Sequence, residues 1–169
     1  MTSVRILQLS AEAIRALADG DLEAARGLAP VPLSPWLISD HPRSVWQRRA
    51  TQVVQKPADL AWVTGVLFDD AIGQVVGAGG FHAAPDEHGM VEAGYGVDPQ
   101  FQRRGYARAT LQSLIARAKS EPGVRVFRLT IAPDNEPSLA LAWQFPFVEV
   151  GEQWDDEDGL ETIYEMSVG

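Results

Sequence analysis

The residues whose types and spacing suit chemistry gather between positions 82 and 138. Residues 102–107 read Gln102-Arg103-Arg104-Gly105-Tyr106-Ala107, directly ahead of a stretch in which Ala107, Leu111, Leu114, Ile115 and Ala118 recur at helical spacing. A glycine-bearing turn that opens a helix aims several backbone N–H groups one way, at the positive end of the helix dipole. That arrangement binds anions, phosphate most naturally. Upstream of it, Val91, Ala93, Tyr95 and Val97 alternate as one face of a strand, which Asp98-Pro99 stops. Glu92 sits within that strand and His82 ends the strand before it, a carboxylate and an imidazole that can exchange protons. His41 and His88 lie in turn-like contexts and read as surface.

These residues need elements to position them. Residues 4–9 suit a short strand, Ser10 caps a helix ending at Gly20, and Asp21 caps a second short helix. The proline-rich run 30–36 reads as an irregular crossing, and residues 42–55 as a helix with Trp46, Ala50, Val53 and Val54 on one face. Residues 60–68 and 74–82 read as a β-hairpin around 69–73, with Gly77, Gly79 and Gly80 marking a bulge or a close neighbour. After the central helix come a strand over 124–131, a helix from Asn135 to about Gln144, and a terminal pair over 147–154 and 162–168 around the acidic run 155–158. Only the connection through the central helix is long enough for a parallel crossover, so the sheet is expected to be mixed and mostly antiparallel.

Composition narrows the function classes. A chain of 169 residues with 46% hydrophobic and 22% charged content suits one domain, residues 1–169, with a full core. The absence of cysteine excludes disulfides, thiolate zinc sites and a cysteine nucleophile. A net charge of -9, from 14 basic against 23 acidic residues, disfavours a nucleic-acid partner; it either attracts cationic ligands such as protonated amines or simply keeps the protein soluble, and charge alone does not separate the two. No apolar stretch approaches the roughly 20 residues of a membrane span, and no signal peptide is evident, so a cytoplasmic protein is expected.

The pattern Gln-x-x-Gly-x-Ala at Gln102, Gly105 and Ala107, after a strand ending Val-Asp-Pro and before a helix, resembles the pyrophosphate-binding motif of the GNAT superfamily of acyl-CoA N-acetyltransferases. The order of elements resembles that superfamily over nearly the whole chain, least so before Leu60. The stretch 94–107 and the Asn-x-x-Ser helix start look most like members related to ribosomal-protein N-terminal acetyltransferases. The resemblance implies a single-domain α+β fold whose twisted sheet of about seven strands splays between the fourth and fifth. It implies acetyl-CoA as co-substrate, an amine acceptor, no metal, and direct attack of the amine on the thioester; a homodimer is left open.

On that resemblance Gly96, Val97, Asp98 and Pro99 border the pantetheine arm, with an N–H near Val97 polarising the thioester carbonyl. Gln102, Arg103, Arg104, Gly105, Tyr106 and Ala107 hold the pyrophosphate, and Asn135 and Ser138 face the cofactor from the later helix. Glu92 is the first candidate for general base and His82 the second. Two departures stand out. Ala142 occupies the position where many members carry a tyrosine that protonates the leaving thiolate, which leaves Tyr95, Tyr106 or solvent for that role. Pro146 replaces a glycine, so the helix before it must end without a left-handed cap. The missing tyrosine also motivates a second reading, a non-catalytic acyl-CoA-binding protein on the same fold.

Overall fold

The structure, a computed structural model, describes residues 2–169. Its elements run β1 (Arg5–Leu7), α1 (Ala11–Ala18), α2 (Leu22–Leu28), α3 (Asp40–Gln55), β2 (Gly65–Asp69), β3 (Gln74–Phe81), β4 (Met90–Val97), α4 (Tyr106–Ser120), β5 (Val126–Ile131), α5 (Glu136–Ala142), β6 (Val148–Asp155) and β7 (Gly159–Ser167), with single 3-10 turns at Pro35–Ile38, Pro57–Ala61 and Pro99–Phe101. The strands order as β1-β2-β3-β4-β5-β7-β6 in a mixed sheet. The expected α+β architecture is therefore present, and the long crossover through α4 makes a parallel pair: β4 meets β5 at Met90–Val126, Val91–Phe127 and Glu92–Arg128. Among the described residues no helix is long and apolar enough to cross a membrane.

The chain divides into two compact units, one comprising the residues up to Ala84 with Gly94–Leu114, the other Pro85–Ala93 with Ile115–Gly169. In the first, β1, β2 and β3 pair antiparallel. The apolar faces of α1 and α3 meet in a core where Ile14, Leu17, Leu37, Trp46, Val63 and Val66 are wholly buried. Each such side chain contributes about 1.5–3 kcal/mol by leaving water. Ser10 and Asp21 cap α1 and α2 as their types predict, accepting from the Ala13 and Ala24 N–H groups. A second, smaller cluster joins Leu67 and Val76 to Phe101 and Tyr106, fastening the residues around the glycine turn to the sheet.

One local difference from the expected elements has a physical cause, and one expected feature is present. The strand expected over 60–68 begins only at Gly65, because Pro57 opens a 3-10 turn and the Asp59 carbonyl accepts from both Trp62 and Val63 N–H. The three glycines of β3 do mark close neighbours: a Cβ at Gly77 would collide with the Gly96 carbonyl, and one at Gly79 would stand 2.9 Å from Tyr95 Cβ.

In the second unit β5 pairs with β7 from Val126–Ser167 to Ile131–Thr162, and β7 with β6 across a bulge between Glu149 and Gly151. Arg128 and Glu165 stand opposite each other there and bond at 2.6 Å. The acidic run 155–158 folds on itself, Asp155 Oδ1 accepting from the Glu157 and Asp158 N–H groups at 2.8 Å and Gly159 taking φ 77°. It is a hairpin tip first of all.

Candidate functional site

The glycine turn is built from backbone outward. Asp98 stops β4 by donating its N–H to the Val76 carbonyl, and its Oδ1 accepts from Gln100 N–H to cap the 3-10 turn Pro99–Phe101. Gln102 turns back, its Nε2 donating to the Val97 carbonyl at 3.1 Å. Arg103 then takes φ 62° and Gly105 φ 87°, and among the described residues Arg103 is the one non-glycine in this left-handed region. Strain of that kind on an arginine is of order 1–2 kcal/mol and persists where surrounding contacts over-determine it. Alternating right- and left-handed backbone gathers successive N–H groups into an anion-binding concavity. The first bond of α4 runs from Ala109 N–H to the Gly105 carbonyl, so the Tyr106 and Ala107 N–H groups lie ahead of any intrahelical acceptor.

Three ties hold this turn in place. Tyr106 is buried and its hydroxyl donates to Asp69 Oδ2 at 2.6 Å, while Asp69 Oδ1 accepts from Ala71 N–H. Thr2 Oγ1 donates to the Arg104 carbonyl at 2.7 Å. The Arg104 guanidinium lies 5.5 Å from the centre of the Phe101 ring, a cation–π contact. Arg103 and Arg104 are both exposed. Neither Asp69 nor Thr2 carried a sequence signal, since a carboxylate in a hairpin connection and a hydroxyl ahead of β1 have many ordinary uses.

The end of β3 is held by a polar bracket. Gln52 on α3 donates through Nε2 to the His82 carbonyl at 2.7 Å and to Asp59 Oδ2 at 2.8 Å; Asp59 Oδ1 accepts from Ala84 N–H at 3.0 Å. Arg49, one turn earlier on α3, donates to Gln52 Oε1 at 2.8 Å and reaches the His82 carbonyl at 3.4 Å and Thr64 Oγ1 at 3.3 Å. Asp59 is buried, and a buried carboxylate is stable only when its oxygens are bonded as these are. The His82 ring rests on β4: a Cβ built on Gly94 would stand 2.8 Å from its Nε2. Two residues on, a Cβ at Gly96 would be 3.8 Å from Trp36, a van der Waals contact. Glycine at 94 and 96 thus leaves β4 bare beneath an imidazole and an indole. His82 carries a signal in the sequence but neither Gly94 nor the bracket does, because Arg49 and Gln52 lie on the polar side of a helix whose signal is its apolar side.

In the other unit Glu92 is half-buried and its Oε1 accepts from Thr130 Oγ1 at 2.8 Å. Asn135 Oδ1 accepts from Ser138 N–H at 3.3 Å, capping α5. Ala142 is wholly buried and Trp143 is 69% exposed. The helix ends in tightened turns, with Gln144 N–H on the Leu141 carbonyl and Phe145 N–H on the Ala142 carbonyl, as Pro146 requires. The two tyrosines left to protonate a thiolate are poorly suited to it. Burial pushes the Tyr95 phenol up to about 12. Tyr106 is raised too, by burial and then by Asp69, which already holds its proton. Among the described residues no group of three or more His, Asp or Glu side chains is placed to hold a metal ion.

A model of the family described as acetyltransferase (GNAT) matches residues 23–145. Over 78 residues the chain is 28% identical to a Bacillus subtilis (strain 168) protein named uncharacterized N-acetyltransferase YoaA; the match covers 46% of this chain, and the chain spans less than half of that relative, 44%. Among solved structures, a chimera of Vibrio cholerae spermidine N-acetyltransferase SpeG and hSSAT superposes with a TM-score of 0.69 at 14% identity, over 99% of this chain and 96% of that one. RimL, a ribosomal L7/L12 α-N-protein acetyltransferase in complex with coenzyme A, superposes with a TM-score of 0.66 at 18% identity, over 99% and 96%. At such identities the likeness is one of fold.

Proposed function

We propose that this chain, which belongs to the GNAT family of acetyltransferases, transfers the acetyl group of acetyl-CoA directly to a primary amine, either a small-molecule amine or a protein N-terminus, with residues 1–169 acting as one domain. The observation that carries the proposal is the turn at 102–107, where two left-handed residues and the start of α4 present backbone N–H groups together. A diphosphate fits such a cradle, and glycine at 105 takes its φ of 87° without strain, while a Cβ there would pack against Thr2. In this reading Gln102, Arg103, Arg104, Gly105, Tyr106 and Ala107 hold the pyrophosphate. Gly96 to Pro99 border the pantetheine arm, which an exposed strand end accepts as it would an added strand. The Val97 N–H is assigned to the thioester carbonyl, where a fixed donor stabilises the oxyanion that develops. Asn135 and Ser138 complete the cofactor side.

The amine arrives protonated at neutral pH and must lose that proton before it can attack. Glu92 or His82 takes it. The amine nitrogen then adds to the thioester carbon, the carbon–sulfur bond breaks, and the thiolate leaves. With Tyr106 bonded to Asp69 and Tyr95 raised to about 12, protonation of that thiolate falls to solvent. Solvent suffices, because a thiolate is a modest base and a fair leaving group.

The buried methyl of Ala142, at a position where an acid is often found, favours the runner-up, an acyl-CoA-binding protein without turnover. Thiol release from acetyl-CoA across a panel of amines decides between them. The panel would hold spermidine, simple alkylamines and peptides with a free N-terminus. Release with at least one amine is expected; acetyl-CoA binding without release on any member would sink the enzyme reading.

A further inference from the structure

We propose that His82 is the group that takes the proton from the attacking amine, and that Gln52 and Asp59 are positioning residues that hold it over Gly94. The inference rests on the acetyltransferase reading and adds an assignment that the family likeness does not supply. Two independent features of the first unit lead to it. One is space: at 2.8 Å from His82 Nε2, a Cβ on residue 94 and the ring in its present place exclude each other, so glycine at 94 is what seats the imidazole against β4. The other is fixation. The His82 carbonyl receives Gln52 Nε2 at 2.7 Å, and two residues later the Ala84 N–H is taken by buried Asp59, which the same Gln52 amide also meets. The peptide on either side of the turn is therefore clamped by one helix and one 3-10 turn.

A surface histidine has no need of a buried carboxylate two residues from a proline to fix its backbone. A proton acceptor does, since a misplacement of about 1 Å can cost on the order of 10²-fold in rate. Among the charged groups near His82, Arg49 from α3 reaches its carbonyl and Asp59 from the turn Pro57–Ala61 holds the Ala84 N–H two residues on; Glu92 and Tyr95 are the titratable groups on the strand that carries Gly94. The imidazole is half-buried, which leaves it reachable, and its ordinary titration range spans neutrality.

The step balances as follows. A proton passes from the ammonium to imidazole nitrogen, giving imidazolium and a neutral amine. The amine nitrogen bonds to the thioester carbon and the carbon–sulfur bond breaks. The second proton shed by nitrogen, as it becomes an amide, goes to the departing thiolate by way of solvent, and the imidazolium returns its proton to water.

The test uses the full chain with acetyl-CoA and whichever panel amine the wild type turns over fastest. His82→Ala should lower kcat/KM by about 10²–10⁴-fold and abolish the acid limb of the pH–rate profile, with acetyl-CoA affinity unchanged. Gly94→Ala, which disturbs the ring and leaves it present, should lower kcat/KM by roughly 10–10²-fold. Gln52→Ala should shift the acid limb and move the His82 imidazole resonances in an NMR titration, distinguished from His41 and His88 by the His82→Ala spectrum. A His82→Ala enzyme that keeps wild-type kcat/KM and an intact acid limb would overturn the assignment and leave the transferase standing. A wild type that binds acetyl-CoA and turns over no amine would overturn both.

Discussion

The glycine turn at 102–107 and the end of β3 at 82–84 are both fixed firmly, and by opposite means. In the proposed site the turn offers a ligand its backbone, and side chains fasten it: Tyr106 to Asp69, Gln102 to Val97, Thr2 to Arg104. The strand end offers a side chain, His82, and is fastened through its backbone by Gln52 and Asp59. Backbone donors are the same whatever residue carries them, so the first region tolerates replacement wherever φ permits. The second depends on one imidazole. Binding therefore ought to be robust and chemistry fragile, and variants can break or sharpen that contrast.

The largest effect belongs to the one place where the turn has no tolerance. At Gly105, φ 87° costs an L-residue about 1–2 kcal/mol, a Cβ would pack against Thr2, and a carboxylate would bring negative charge beside the proposed phosphate cradle. Gly105→Glu is expected to weaken acetyl-CoA binding by more than about 10²-fold, read by calorimetry, in a protein whose circular dichroism is unchanged. Comparable affinity in a folded variant would remove the turn from the cofactor site and the contrast with it.

Next in size is a stability effect at high pH. Tyr95 has its phenol raised to about 12 by burial, against about 10 in an unfolded chain. Between those values the unfolded state has lost a proton that the folded state keeps, so stability falls as pH rises, and below 10 nothing changes. About 2–3 kcal/mol should vanish between pH 10 and 12, and Tyr95→Phe should lack that part of the decline in urea titrations. Parallel pH curves for wild type and variant would show that the ring is solvated.

The contrast also explains how much the sequence revealed. The turn was legible, because a glycine ahead of a helical repeat and a proline after an alternating strand are local signals with local causes. So were the parallel crossover through α4 and the short end of α5 before Pro146. The bracket was not: Asp59 meets Ala84 from 25 residues away, and Gln52 meets His82 from 30. Residues 60–64 resemble a strand for the same reason, since their apolar run conceals a turn set by Pro57 and the Asp59 carbonyl. Glycine 94 looked like one more small residue in GYG, and only its neighbour in space gives it meaning.

A smaller loss is expected where the turn is fastened. Tyr106→Phe leaves Asp69 Oδ2 buried without its donor, at a cost of about 1–3 kcal/mol. The melting temperature should fall while acetyl-CoA affinity changes little, because the N–H groups of the turn remain. A loss of affinity larger than the loss of stability would mean that the tether shapes the cradle, which would narrow the distinction between the two regions.

The smallest effect is the most discriminating. Arg103 stands exposed with φ 62°, a conformation that glycine takes without strain. Arg103→Gly removes that strain and adds the greater freedom of glycine in the unfolded chain, two terms of about 1 kcal/mol and opposite sign. Stability should move by less than about 1 kcal/mol. A guanidinium bonded to phosphate would contribute about 1.5–3 kcal/mol, at least a tenfold change in affinity, whereas a cradle of N–H groups keeps its donors in the variant. Acetyl-CoA affinity is therefore expected to fall less than about threefold at physiological salt. A tenfold drop that shrinks as salt is raised would place Arg103 on the phosphate and give the turn a side-chain component after all.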